Sequence, residues 1–225
     1  MRLAHSFVFC CLFTLGYAQT YPYRETIAKL CSPEFAGRGY VEDGSALAAQ
    51  FIAAEFHKIG LQPFKNKFEQ SFTLPVQTFP GACLFAVGSD TLKPGIDYLV
   101  HPGSAGISLP TNYQLVYCNV RTLYRSVNAF KPCPKDRMLV VQTSGFGGDT
   151  NKVLQTRLQE LQQFAATIEL TSSKLTWSVS QQAKPYPAFQ VLLTAFANKP
   201  QSALMHLTTL FEPKFTSSNV IGYLP

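Results

Sequence analysis

The sequence predicts an α/β chain in which a short helical opening gives way to a mostly-β module carrying one or two helices. Apolar residues recur at helical spacing near the start and again after position 150, whereas the stretch between alternates in short pieces broken by Pro, Gly, Ser and Thr. The chain has 225 residues with 46% hydrophobic and 14% charged content, enough to bury a sizeable core and too apolar for intrinsic disorder. No fixed repeat is visible, and no apolar run reaches the ~18 residues that cross a bilayer. The net charge of +6 comes from 19 Lys and Arg scattered singly, without interleaved aromatics. Such a pattern is a mildly basic surface and argues against a nucleic-acid partner.

Residues 1–18 read as a secretory signal peptide: Arg2 supplies the positive start, an apolar stretch begins at Phe7, and Gly16 and Ala18 fit the small-residue positions of a cleavage site before Gln19. The mature chain is then expected outside the cytoplasm, secreted or periplasmic, with no membrane association after cleavage. It keeps Cys31, Cys83, Cys118 and Cys133, which an oxidising compartment permits to pair in three ways or leaves as free thiols. Cys118 and Cys133 are the nearest candidate disulfide.

A first helix is expected over 23–31, ending before Ser32-Pro33 because proline disfavours helical geometry in the residue before it. A glycine-containing connector follows, and Asp43-Gly44-Ser45 is a turn and cap signal for a helix over 45–59. Leu47, Phe51, Ile52, Phe56 and Ile59 form its apolar stripe, Gln50, Ala53, His57 and Lys58 its outer face, and Gly60 its stop. Beyond Pro63 the period drops to two, with Phe68, Gln70, Phe72 and Leu74 on one face of a strand. Short strands are expected over 83–87, 97–100, 113–119, 138–142 and 167–170, and Met138 to Val141, apolar without alternation, suits a central strand covered on both faces. Asp149 or Thr150 is placed to cap a helix over 151–166 carrying Leu154, Leu158, Leu161 and Ala165. A last helix is expected from Pro200, packing Leu204, Leu207 and Leu210 inward, before a buried strand over 219–224.

No self-sufficient active site emerges. His5, His57, His101 and His206 stand apart, with no H-E-x-x-H or H-x-D spacing, so no catalytic and no metal-binding residue is assigned. Ser104 lies near His101 but within a Pro-Gly-Ser-Ala-Gly turn, without a G-x-S-x-G elbow. Gly145, Gly147 and Gly148 precede a helix, yet no Lys-Ser or Lys-Thr follows and Asp149 repels an anion. Arg38, bracketed by Gly37 and Gly39, is open both to a functional reading and to that of a glycine-bracketed turn.

The run Ser32-Pro33-Glu34-Phe35-Ala36-Gly37-Arg38-Gly39, then Gly44-Ser45, then the helix running to Gly60-Leu61-Gln62-Pro63, resembles the opening of secreted bacterial zinc aminopeptidases, co-catalytic metallopeptidases of clan MH. The ending Ser218-Asn219-Val220-Ile221-Gly222-Tyr223-Leu224-Pro225 is similar to the strand that leads into that family's first zinc-ligand segment. Asp97 to Val100 with Gly103-Ser104, then Met138 to Gln142, resembles a protease-associated domain inserted into the peptidase fold. The resemblance implies an incomplete zinc-exopeptidase fold: peptidase segments over 19–72 and 213–225, and an inserted mostly-β domain over 73–212. It implies a non-catalytic portion, inactive alone, of an enzyme that hydrolyses peptide bonds at N-termini with two zinc ions held elsewhere. The expected partners are peptides or a C-terminal catalytic half. A stand-alone peptide- or protein-binding module is the alternative.

Overall fold

The computed structural model describes residues 23–225, so the expected signal peptide lies outside the described residues. Helix α1 (Tyr23–Leu30) stops before Ser32-Pro33 as the proline requires, and Pro33–Arg38 winds into a 3-10 turn. That turn drives Phe35 into the interior, where its ring meets Phe51 edge-on at 5.6 Å. Helix α2 (Gly44–Lys58) starts hard against it. A Cβ at Gly44 would fall 2.3 Å from the Phe35 carbonyl oxygen, so only glycine lets helix and turn approach this closely. At the other end Gly60 takes φ +82° and donates its N–H to His57 O, the glycine stop read from the sequence.

Two details of α2 differ from expectation. Asp43 precedes the helix in a left-handed conformation and its side chain makes no capping hydrogen bond. The predicted stripe is not the buried face either: Ala48, Ala49 and Ala53 are buried, Phe51, Ile52 and Phe56 are half-buried, and Leu47 and Ile59 are exposed. Ala53, expected on the outer face, is therefore inside.

Among the described residues twelve strands follow or flank the helices, in chain order β1 (Gln62–Pro63), β2 (Glu69–Thr78), β3 (Cys83–Val87), β4 (Asp90–Thr91), β5 (Tyr98–Val100) and β6 (Ile107–Tyr117), then helix α3 (Val120–Arg125). After it come β7 (Arg137–Gln142), helix α4 (Gly148–Leu161), β8 (Ala166–Thr171), β9 (Ala188–Leu192), β10 (Ser202–Leu207), β11 (Leu210–Val220) and β12 (Gly222–Tyr223). Eight of them form one sheet in the order β4-β3-β10-β6-β7-β8-β9-β5. Its centre, β6 to β9, is parallel, with α4 crossing from β7 to β8, and its flanks are antiparallel.

The sheet curls until its two ends meet. Phe85 on β3 packs edge-on against Tyr98 on β5 at 5.1 Å and against Phe189 on β9 at 5.3 Å, although β3 and β5 lie near opposite ends of the strand order. The inner face closes over Met138, Val140, Ile168, Val191 and Met205. On the outer face Leu139 and Val141 pack with Leu154, Leu158 and Leu161 of α4 and Leu123 of α3. The unalternating run at 138–141 is thus buried on both faces, as its sequence required.

The expected last helix is strand β10. Leu204 and Leu210 are exposed, and the buried residues are Ala203, Met205 and Leu207, a period of two in place of three. Pairing with β3 on one side and β6 on the other supplies the backbone hydrogen bonds that a helix would otherwise make internally. Helix α4 begins at Gly148 and ends at Leu161, earlier at both ends than expected; Gly147 precedes its first turn without a side-chain cap, and Asp149 instead pairs with Lys152 at 3.3 Å. Helix α3, capped by the Asn119 side chain accepting from Thr122 N–H, follows the strand expected over 113–119 where the sequence predicts no element, and β9 is likewise not predicted.

The expected buried strand over 219–224 divides in two. β11 pairs antiparallel with β2 from Leu210↔Thr78 to Val220↔Glu69, and β12 pairs antiparallel with β1 through Gln62↔Tyr223. Ile221, Tyr223 and Leu224 are exposed.

Candidate functional site

The residues singled out by sequence do not converge. His57 is exposed on α2, and His206 is half-buried on β10. His101 is half-buried after β5, where its Nδ1 accepts the Gly103 N–H at 3.1 Å. Burial, and then the Lys184 ammonium, push its pKa from 6.5 down to about 4, which keeps the ring neutral. Ser104 is fully buried, but its hydroxyl donates to Ala105 O at 2.9 Å and accepts the Ala188 N–H at 3.0 Å. Both capacities of that hydroxyl are spent on backbone, so Ser104 ties its turn to the start of β9 and is not poised as a nucleophile. Arg38 is exposed with φ +62°, and Ala36, Glu42 and Asp43 beside it also take left-handed backbone. Strain therefore gathers around the Gly37-Arg38-Gly39 turn.

Among the described residues no three His, Cys, Asp or Glu side chains come together as a metal site. The described residues thus gather no zinc donor set. Among the described residues Cys31, Cys83, Cys118 and Cys133 are free thiols; Cys118 is buried and Cys133 half-buried, and both belong to the core beneath α3 and α4. Burial, with the Cys133 sulfur as a second cause, pushes the Cys118 thiol up to about 12.

One polar cluster carried no motif in the sequence. Glu169 on β8 accepts hydrogen bonds from Thr143 Oγ1 at 2.6 Å, Gln155 Nε2 at 2.8 Å and Gln190 Nε2 at 3.2 Å. A carboxylate in an apolar strand was the only available signal. Its oxygens are occupied by donors from the end of β7, from α4 and from β9, so the cluster ties helix to sheet and offers no free base.

What does stand out is an apolar surface on the helical opening and the chain end. Tyr23 on α1 is 67% exposed, Phe64 after β1 is 61% exposed, and Leu224 is 79% exposed, with Ile27, Leu47 and Ile59 exposed as well. Phe64 and Tyr223 meet edge-on at 5.3 Å, which gathers part of this surface into one ridge. One side of α2 packs against β2 and β11, Phe56 meets Phe68 just before β2 at 5.9 Å, and Tyr40 lies on Phe215 of β11 at 4.9 Å.

The fold bearing this surface has counterparts among solved structures. A zinc aminopeptidase from Bacillus subtilis superposes with a TM-score of 0.53 at 15% identity, over 88% of this chain and 46% of that one. A second structure of a zinc aminopeptidase from Bacillus subtilis gives 0.51 at 14% identity with the same shares. The chain shares its fold with the matched part of these two structures. It spans about half the length of the structures it matches. An aminopeptidase from Aneurinibacillus sp. strain AM-1 is a looser likeness, with a TM-score of 0.44 at 15% identity over 88% of this chain and 46% of that one. No family model matches the sequence, and no curated protein matches it at a significant level.

Proposed function

We propose that the chain is the N-terminal, non-catalytic portion of a secreted or periplasmic zinc-dependent aminopeptidase, whose hydrolysis of N-terminal peptide bonds is carried out by groups outside these residues. The observation that carries this reading is the exposed apolar surface of α1, α2, Phe64 and Leu224 on a fold whose solved counterparts are about twice as long. In this reading 19–72 and 213–225 are peptidase-fold segments, and 73–212 is a protease-associated-like insert that covers or gates the approach of peptides. The two zinc ions of a full-length enzyme would be held by the catalytic half, which packs on the apolar surface. Scaffold and access control are what this chain contributes.

The test compares residues 19–225 with the same chain extended by whatever sequence follows Pro225, each assayed for bound zinc and for release of N-terminal residues from peptides. Zinc and activity only in the extended chain are expected. Activity in residues 19–225 alone, or no His and Asp ligand segment in the extension, would overturn the proposal.

The closed core of the eight-stranded sheet favours a second reading, a stand-alone peptide- or protein-binding module. Residues 73–212, purified alone, would then fold cooperatively and bind peptides; unfolded protein or indifference to peptides would sink that reading.

A further inference from the structure

At the N-terminal ends of β7, β8 and β9 lies a cavity of about 380 Å³, within the size range of small-ligand sites. Its walls are aromatic: Tyr113 from β6, Phe164 from the turn between α4 and β8, and Tyr186 from the segment entering β9. Pro134, Pro185 and Pro187 stand in two of the wall segments, and their fixed φ limits how far those walls move.

The charge of this cavity has one sign. Lys135 and Arg137 line it, no carboxylate does, and neither cation takes part in an ion pair among the described residues. Lys131 adds a third cation, its Nζ 4.5 Å from the centre of the Phe164 ring. Lys184, beside Pro185, donates to Gln162 Oε1 at 2.8 Å. The nearest acid in the segment is Asp136; it and Arg137 act on the Cys133 thiol in opposite directions, so both charges are felt at the cavity wall. Against that one acid stand Lys131, Lys135, Arg137 and Lys184, a net positive surrounding that suits an anion.

Tyr113 supplies the second polar feature. It is 8% exposed and lines the cavity, and its hydroxyl has no hydrogen-bond partner among the described residues. A carboxylate has two oxygens to place, and a guanidinium fork with a phenol O–H is a donor set that satisfies both. Flat aromatic walls would hold the apolar body that carries the charge.

We propose that this cavity binds a carboxylate borne on an aromatic body. The C-terminal end of a short peptide with an aromatic last residue has this chemistry, and so does a free aromatic acid. The proposal does not depend on the aminopeptidase reading.

Titration calorimetry of residues 19–225 with N-acetyl-Ala-Phe, its C-terminal amide, phenylacetate and inorganic phosphate tests it. The acid peptide is expected to bind saturably and the amide at least about tenfold more weakly, because a hydrogen bond to a charged group is lost. Arg137→Gln should weaken the acid about tenfold or more, and Tyr113→Phe, which keeps the ring, by a few-fold. Arg137 is exposed, so its variant should keep the circular dichroism and unfolding midpoint of the parent. Phenylacetate equal to the peptide would assign the free acid, and phenylacetate much weaker would assign the peptide end; either supports the site. Equal affinity for acid and amide, unchanged affinity in Arg137→Gln, competition by phosphate as strong as by the acid, or no saturable binding would each overturn it.

Discussion

In the eight-stranded body, β7 sends Met138 and Val140 into one core and Leu139 and Val141 into another, whereas in the flanking segment α2 fully buries only small residues and leaves Leu47 and Ile59 in solvent. The body has a layer against each face: its own curled far side within, and α3 with α4 without. The flanking segment has one. Its ribbon of β2 and β11 is two strands wide and meets α2 on one side, and Phe72 and Phe211 on the ribbon remain exposed. A sheet or helix with an apolar face needs a second layer, and a two-stranded ribbon is marginal without one. The contrast teaches where this molecule is self-sufficient and where its surface is built for something else.

The largest expected effect lies in the body. Phe85→Ala removes a fully buried ring that touches Tyr98, Phe189 and Phe196, and should destabilise the chain by about 3–5 kcal/mol in urea unfolding. A cost near 1 kcal/mol would mean that the ends of the sheet do not close on one another.

Next is the pairing of Cys118 with Cys133, which we propose for the chain in an oxidising compartment. The link would close a loop of about 15 residues and stabilise by about 3 kcal/mol, read as a drop in unfolding midpoint on reduction. Peptide mapping under oxidising conditions checks the connectivity; a bond from either residue to Cys31 or Cys83 would refute it.

A smaller effect follows pH. His101 has a folded pKa of about 4 against 6.5, so the fold favours the neutral ring and the unfolded chain binds the extra proton between those values. The stabilisation is complete above pH 6.5 and is lost as pH falls through 6.5 toward 4. Allowing for the partial exposure of the ring, the loss is about 2 kcal/mol. His101→Gln should flatten this part of the stability profile, and an unchanged profile would remove His101 as its cause.

The smallest effect on stability, and the one that sharpens the contrast most, is on the open surface. Ile59→Ser combined with Leu224→Ser should change unfolding free energy by less than about 0.5 kcal/mol, since both side chains are already exposed. Self-association or binding to apolar dyes should fall in the same variant. A stability loss as large as that of Phe85→Ala would show that this surface is part of the core.

Local features of the fold were legible because their causes are local. Pro33 ended α1, Gly60 ended α2, and the run from Met138 to Val141 announced a strand buried on both faces. Glycine at Gly44 was visible in the turn signal, although its reason, the closeness of the Phe35 carbonyl, was not. Of the candidate site residues, Ser104 and His101 were rightly placed in a turn, but nothing in sequence showed that Ser104 is bonded to Ala188 across the molecule. The cavity walls come from Tyr113, Phe164 and Tyr186, far apart in the chain, and no motif links them.

By itself, then, the sequence determined the breaks at Pro33 and Gly60 and the two-sided burial of β7, because proline geometry, left-handed glycine and an unbroken apolar run act over a few residues. Tertiary structure alone decided the rest. Leu204, Leu207 and Leu210 at steps of three read as a helix, yet a gap between β3 and β6 accepts a strand there, and the hydrogen bonds offered by both neighbours turned the buried set into Ala203, Met205 and Leu207. In the same way the apolar stripe of α2 was plain in the sequence, but which of its residues are buried depends on the layer that lies against it, and within these residues that layer covers the alanine face.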